Sequence, residues 1–356
     1  MCLGNVLLKD WLKRSIRGSR DKSFRIIETW FIKLFRIAPK AFGGKEQIVF
    51  FSPRAGRGLA ASEVDDVFFR TYPKTRISTT NKFNYNSRFW IIDTLRLLLL
   101  KRSNHNQKII LIQYVEGFHV SPSINLLEYL QSQGSIIVKI WLDSYSNSLW
   151  DNRINKVSHL GNLNVVIDTP FLRQDKFVAG NSYFYKPVPL ESTPTVPFSA
   201  RKNFVFYSGG VENEGLYKPR KLVIDYLNEN GFLVKGTAYD RNKPVQRPDY
   251  NTYRDELSNS LIGLNFTWKG EEDVLVTRTW EILSSGVLLI QNKSEVLRGL
   301  LEPGNHYLEF SSNQELLEIL HDLRENPHKM NEIALAGKMK YEELFSPEVF
   351  WELVLK

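Results

Sequence analysis

The sequence predicts two consecutive α/β domains, each a parallel sheet covered by helices, arranged as two facing Rossmann-like units behind a basic amphipathic helical arm. Three observations carry this. Apolar, β-branched runs alternate with helical stretches twice along the chain. Prolines at 187, 189, 194 and 197 separate the two alternations. The net charge of +8 is confined to the first 45 of the 356 residues.

The arm comes first. Residues 1–45 hold eleven Lys and Arg against Asp10, Asp21 and Glu28, which accounts for the whole +8; the remaining bases and acids cancel. Phe24, Ile27, Phe31, Leu34 and Phe35 recur at helical spacing, flanked by Arg25, Lys33 and Arg36, with a shorter stripe at Val6, Leu7, Trp11 and Leu12. Such a stripe can lie in a bilayer interface with its bases on anionic lipid, or pack on the protein body. Lys9, Lys13, Arg14 and Arg17 interrupt any secretory core. The most apolar helical stretch, Phe89 to Leu100, carries Asp93 and Arg96, whereas a bilayer span needs roughly 20 largely uncharged residues. The single cysteine, Cys2, fits a reducing compartment. The body outside the arm has no excess charge, and the chain has no recognition motif for nucleic acid.

In the first alternation, Ile48–Ser52 is a strand that ends in the glycine-containing loop Pro53–Gly58. Ile109–Tyr114 is a second strand, followed by a helix over Ser123–Gln133 that Gly134 stops. Ile136–Leu142 and Leu163–Ile167 follow, rich in Ile and Val. The proline cluster reads as a linker, since proline cannot donate to a ladder. In the second alternation, Asn203–Tyr207 is a strand with Ser208-Gly209-Gly210 as its turn. Pro219 opens a helix that stops at Gly231, and Phe232–Lys235 is a strand. A helix over Tyr250–Ser258 and a strand over Leu261–Phe266 lead to an acidic loop. The helix Thr277–Ser285 follows, stopped by Gly286, then the strand Val287–Gln291. His306–Phe310 is a further strand. Ser312 with Glu315 forms a capping box for a helix that ends near Pro327, and Pro347–Leu355 closes the chain as a helix.

The chemistry concentrates around the helix that begins at Thr277. A helix start offers free amides and about half a positive charge, which suits a diphosphate. Arg278 in the first turn can add a bidentate contact. Glu281, three residues on, can accept two hydrogen bonds from a ribose diol; the bland alternative is that the two form an exposed i,i+3 pair. Gly209 and Gly210 permit close approach of a phosphate or form a plain tight turn. Lys218, Arg220 and Lys221 sit at the next helix start, and spacing does not say which of them reaches a ligand. In the first half, Arg54, Gly56, Arg57 and Gly58 follow one strand end. Glu116 and His119 follow another, where either could act as a general base, and Asp143 follows a third. The sequence carries no HExxH, no paired cysteines and no Asp-x-Asp site, so no metal is expected.

The ordered set Arg278, Glu281, Ser285-Gly286, Val287–Ile290, Leu301-Glu-Pro-Gly304, Tyr307, Ser312–Leu316, Asn326-Pro327, Ile333-Ala334 and Ala336-Gly337 resembles the glycosyl transferases group 1 family. Its closest likeness is to the spore-maturation-type branch, over residues 250–340. The resemblance implies the GT-B fold and transfer of a sugar from a nucleotide-sugar donor, which is substrate and not cofactor, to a sugar or lipid-linked acceptor, in polysaccharide or glycoconjugate synthesis. It implies that Glu281 contacts the donor ribose and that Thr277 and Arg278 lie near its phosphates. It also suggests Asp273, eight positions before Glu281, as the first acid of a retaining pair, although Asp is shorter than the usual Glu, and Glu271 and Glu272 compete. The expected division is an arm over 1–45, an acceptor-side domain over 46–190, a linker over 191–202, a donor-side domain over 203–345 and a C-terminal helix over 346–356. A cytoplasmic enzyme, peripheral on an anionic membrane through its arm, is the reading; a non-hydrolysing sugar-nucleotide epimerase or a silent sugar-nucleotide-binding scaffold are the alternatives.

Overall fold

The computed structural model describes residues 47–51, 76–78, 98, 107–114, 124–142, 160, 163–166, 182–185, 190, 192–193, 196–215, 217–236, 238–240, 250–269, 272–273 and 275–355. The arm, the Arg54–Gly58 loop, Glu116, His119 and Asp143 lie outside the described residues.

The first sheet has six parallel strands: β1 (Gln47–Phe51), β2 (Arg76–Ser78), β3 (Gln107–Tyr114), β4 (Ile136–Leu142), β5 (Leu163–Val166) and β6 (Ser182–Tyr185), in the order β2-β1-β3-β4-β5-β6. The Ile- and Val-rich runs form its middle, as such residues favour a sheet covered on both faces. Helix α1 (Ile124–Ser132) crosses from β3 to β4, burying Leu126, Leu127 and Leu130. It ends where Gly134 takes φ 81°, a left-handed turn that glycine adopts without strain. The strands β2 and β6, three and four residues long, complete the edges. The order reverses between β1 and β3, so Glu116 and His119 follow a strand that ends at this switch point.

The second sheet has five parallel strands: β7 (Asn203–Phe206), β9 (Val234–Lys235), β11 (Ser260–Asn265), β14 (Leu288–Asn292) and β15 (Leu308–Phe310), in the order β15-β14-β11-β7-β9. Here the reversal falls between β7 and β11. The helices are α2 (Lys218–Glu229), α3 (Tyr250–Ser258), α4 (Thr277–Ser284), the short α5 (Glu295–Arg298), α6 (Asn313–Glu325), α7 (Pro327–Phe345) and α8 (Pro347–Leu355). One continuous core joins Val205, Ile262, Leu264, Leu288 and Ile290 of the sheet to Val223 and Leu227 of α2 and to Leu316, Leu320 and Leu323 of α6. The capping box forms in part: Ser312 Oγ accepts from Glu315 N at 3.1 Å, while the Glu315 carboxylate reaches Ser311 N at 2.7 Å, one residue earlier than the motif specifies.

Two small elements differ from the sequence expectation. Ser208–Gly210 is not a simple turn: Gly209–Val211 forms a strand, β8, parallel to β10 (Ala238–Asp240). The acidic stretch before α4 is not an open loop: β12 (Trp268–Lys269) and β13 (Glu272–Asp273) pair antiparallel, with Trp268 opposite Asp273. The segment over 190–202 is tied to the second sheet. Tyr341 Oη accepts from Leu190 N and donates to Leu190 O, and Thr193 N donates to Ser284 O at 3.2 Å. Buried Arg201 donates to the carbonyls of Val196, Ser260 and Gly286.

Candidate functional site

In an open parallel sheet the strand ends at an order reversal leave a crevice, because neighbouring connections depart to opposite sides. In the second sheet that crevice lies at the carboxyl ends of β7 and β11, where Tyr207 and Asn265 stand. Helix α4 begins beside it. Its N-cap is Val276, no side chain caps the first turn, and that turn holds no acid. The Thr279 amide turns back to Val276 O at 3.0 Å, and the helix's positive pole lies at the crevice with its first two amides, of Thr277 and Arg278. The opposite pole is satisfied: Arg254 Nη1 donates to Glu281 O at 3.0 Å and to Ser284 Oγ at 3.2 Å.

The packing fixes where α4 starts. Trp280, Ile282 and Leu283 are buried. Full burial of such side chains contributes about 1.5–3 kcal/mol each. Gly263 on β11 lets the sheet close on the helix, since a Cβ there would stand 2.7 Å from Ile282 Cγ1. On the other side Gly337 of α7 lies so near the loop before β15 that a Cβ would meet His306 O at 2.3 Å.

Arg278 leaves the first turn of α4 and is held on three sides. Its Nη1 donates to Asn265 Oδ1 at 3.2 Å, and its guanidinium carbon stands 5.1 Å from the centroid of the Tyr207 ring. Its Nη2 lies against Gly209, where an added Cβ would be 2.6 Å away. The glycine strand and the helix start thus meet. Arg220 joins them from α2. It is 5 % exposed, its guanidinium carbon lies 4.5 Å from the Tyr217 ring centroid, and it lies within electrostatic reach of Tyr207 and Arg278. Burial pulls its pKa below the ordinary arginine value; the Tyr207 and Tyr217 rings oppose that, and the nearby charge of Arg278 adds to it. Lys218, by contrast, is exposed, and Lys221 pairs with Asp225 one helical turn on. Of the three bases at this helix start, Arg220 is the buried one and the one that feels the charge of Arg278. The carbonyl of Gly210 accepts from Tyr207 Oη at 3.2 Å.

Glu281 is buried on α4, 7 % exposed, so it does not belong to a solvated surface pair. Its Oε2 accepts from Tyr253 Oη at 2.7 Å, and the Tyr253 ring lies 6.1 Å from Phe206. Burial, and then the Glu281 carboxylate, push the Tyr253 hydroxyl well above its usual pKa, so it stays a donor. Thr277 is the first helical residue and half-buried. Asp273 lies on β13, four residues before α4. Among the described residues no group of three or more His, Cys, Asp and Glu side chains is placed to hold a metal ion.

Several members of this cluster were not singled out from the sequence: Tyr207, Asn265, Thr279, Gln291, Tyr253 and Arg254. For two of them a signal was present. Asn265 and Gln291 are polar residues at the carboxyl ends of largely apolar strands, yet both are wholly buried.

Residues 220–352 match the family model described as glycosyl transferase-like. HepE from Anabaena, solved in complex with UDP-glucose, superposes with a TM-score of 0.56 at 10 % identity, covering 87 % of this chain and 98 % of that one. Sucrose-phosphate synthase from Thermosynechococcus elongatus gives 0.55 at 10 % identity, over 87 % of this chain and 96 % of its own. A glycosyltransferase from Rickettsia africae gives 0.56 at 9 % identity, over 88 % and 100 %. No curated protein matches the chain in sequence.

Proposed function

We infer that this chain, whose residues 220–352 belong to the glycosyl transferase-like family and whose two parallel sheets follow the GT-B plan, transfers a sugar from a nucleotide-sugar donor to an acceptor hydroxyl. The observation that carries the reading is the meeting of Arg278, Arg220 and Gly209 at the uncapped start of α4, at the order reversal of the second sheet. Two guanidiniums that share one tyrosine repel each other, and an anion with two negative phosphates relieves that repulsion. We place the donor diphosphate there, with Thr277 and the first amides of α4 beside it, and the ribose diol on Glu281. Because HepE was solved with UDP-glucose, a UDP-sugar is the first donor class to try.

In the transfer, the acceptor oxygen forms a bond to the anomeric carbon and the bond from that carbon to the diphosphate oxygen breaks. Negative charge grows on the leaving nucleoside diphosphate. Fixed guanidiniums and helix amides stabilise that charge without reorganising, and such preorganised stabilisation usually contributes more to catalysis than any other single effect. The acceptor proton passes to a base. Glu116 or His119 would take it in an inverting reaction, since they follow β3 at the reversal of the first sheet. Asp273 would instead stand at the sugar in a retaining one. An epimerase would need a richer set of acids and bases, whereas the side chains gathered at the described site are mainly arginines, amides and tyrosines. We assign the acceptor side to residues 46–190 and the donor side to 203–345. We also propose a cytoplasmic enzyme held at an anionic membrane by residues 1–45, meeting a sugar or lipid-linked acceptor there. Among the described residues no helix is long and apolar enough to cross a membrane.

The test is donor hydrolysis and transfer with UDP-, GDP- and dTDP-sugars. Release of nucleoside diphosphate from one of them, lost in Arg278→Ala, supports the reading; binding without turnover would make the chain a sugar-nucleotide-binding scaffold.

A further inference from the structure

Beneath Arg278 lies a sealed row of side-chain amides. Asn265 ends β11 and stands in register with Gln291 of β14, and Thr279 of α4 lies above the pair. All three are wholly buried. Asn265 Nδ2 donates to Thr279 Oγ1 at 2.9 Å and to Gln291 Oε1 at 3.1 Å, while Thr279 Oγ1 donates to the same Gln291 oxygen at 3.3 Å. With its amide nitrogen committed downward to two acceptors, Asn265 turns Oδ1 up to Arg278 Nη1. The reverse orientation would set amide hydrogens against a guanidinium, donor against donor. Among the described residues Gln291 Nε2 is buried without a hydrogen-bond partner. A buried unsatisfied donor destabilises the fold. Apolar side chains of the same shape would avoid that penalty, so this network has a use other than stability.

We propose that Asn265 is the positioning residue for Arg278: an uncharged acceptor that aims the guanidinium at the donor diphosphate and brings no negative charge of its own to it. This rests on the reading of Arg278 as a phosphate ligand. A carboxylate at 265 would hold the fork in the same place but neutralise its charge within the protein.

The isosteric Asn265→Asp variant tests this: it keeps the shape and adds the charge, and the two hydrogen bonds that Nδ2 donates, which it gives up, are given up without the charge in Asn265→Ala. Calorimetric affinities for inorganic pyrophosphate, UDP and uridine are measured for the wild type, Asn265→Asp, Asn265→Ala, Arg278→Ala and the two double variants with Arg278→Ala. The expected result is a loss of pyrophosphate and UDP affinity in Asn265→Asp of about 10- to 100-fold, the scale of charge-assisted hydrogen bonds, with uridine affinity unchanged. In the Arg278→Ala background the same change at 265 should have little further effect, since coupled residues are non-additive. Circular dichroism checks the fold. If Asn265→Asp does not fold, the Asn265→Ala cycle carries the same comparison. Pyrophosphate affinity that drops in Arg278→Ala but holds in folded Asn265→Asp and Asn265→Ala overturns the role of Asn265 alone. Equal losses with and without Arg278 also overturn it. Affinity that Arg278→Ala leaves intact overturns the phosphate reading and this inference together.

Discussion

Gly209→Ala separates the site from the scaffold. The added methyl would stand 2.6 Å from Arg278 Nη2 and 2.7 Å from Tyr207 Oη. Ordinary contact needs roughly 3.5 Å, so both groups must move, by about 0.8–0.9 Å. The Tyr207 ring is sealed in the core, 1 % exposed, whereas Arg278 is the far end of a flexible side chain. Arg278 therefore gives way, and its hydrogen bond to Asn265 is lost or lengthened. A guanidinium displaced by nearly 1 Å at a phosphate contact weakens binding and turnover by on the order of 10- to 100-fold. Stability should fall as well, by about 1–3 kcal/mol, because the sealed Tyr207 ring cannot swing away as Arg278 does. Gly231→Ala is the control for destabilisation alone. That glycine has φ 81° and open space around it, so alanine there stores about 1–2 kcal/mol of backbone strain and leaves the site untouched. Thermal melts and UDP affinity are measured on both. A folded Gly209→Ala protein that binds UDP weakly, beside a Gly231→Ala protein that melts early but binds UDP as the wild type does, bears out the reasoning. Unchanged UDP affinity in that variant refutes it.

Four further outcomes follow from the structure. Arg278→Lys keeps the charge but loses the planar fork, so kcat/KM should fall although the net charge is the same, and Lys218→Ala, an exposed site, should have no effect where Arg220→Ala does. Glu281→Ala should weaken donor affinity by on the order of 2–3 kcal/mol, the scale of charged hydrogen bonds, and equal affinity for UDP and 2′-deoxy-UDP in the wild type would remove Glu281 from the ribose. Burial lowers Lys139 of β4 to a pKa of about 7, so between that value and the free lysine pKa the unfolded chain holds the extra proton; melting temperature should rise as pH increases above 7, and Lys139→Met should flatten that dependence. Deleting residues 1–45 should abolish binding to anionic liposomes, with the intact protein binding more weakly as salt rises, while donor hydrolysis persists; a destabilised truncation and no liposome binding by the intact chain would place the arm on the body instead.

What could be read from the sequence depended on how local the determinant was. The strand Ile136–Leu142 and the helix Tyr250–Ser258 have the bounds their apolar periods imply, because propensity, period and flanking glycine or turn residues agree. The helix carrying Arg278 and Glu281 was visible for the same reason. The strand Gly209–Val211 was not: two glycines suppress strand propensity, and its partner lies 27 to 31 residues away at Ala238–Asp240. The Trp268–Asp273 hairpin was hidden by its acids, which read as a solvated loop. The choice among Lys218, Arg220 and Lys221 needed the rotation of α2 about its axis, which three adjacent bases do not reveal. The amide row needed the register of β11 against β14, a property of tertiary pairing.

The measurement closest to the central claim is a calorimetric titration of the full chain with UDP, GDP and dTDP, set beside turnover of the corresponding sugar nucleotides. At least one nucleoside diphosphate should bind, should inhibit turnover of its own sugar nucleotide competitively, and should bind more weakly to Arg278→Ala and to Arg220→Ala, while its uncharged nucleoside binds all three proteins alike. A folded protein that binds none of the three, or whose affinity is indifferent to both arginines, would contradict that claim.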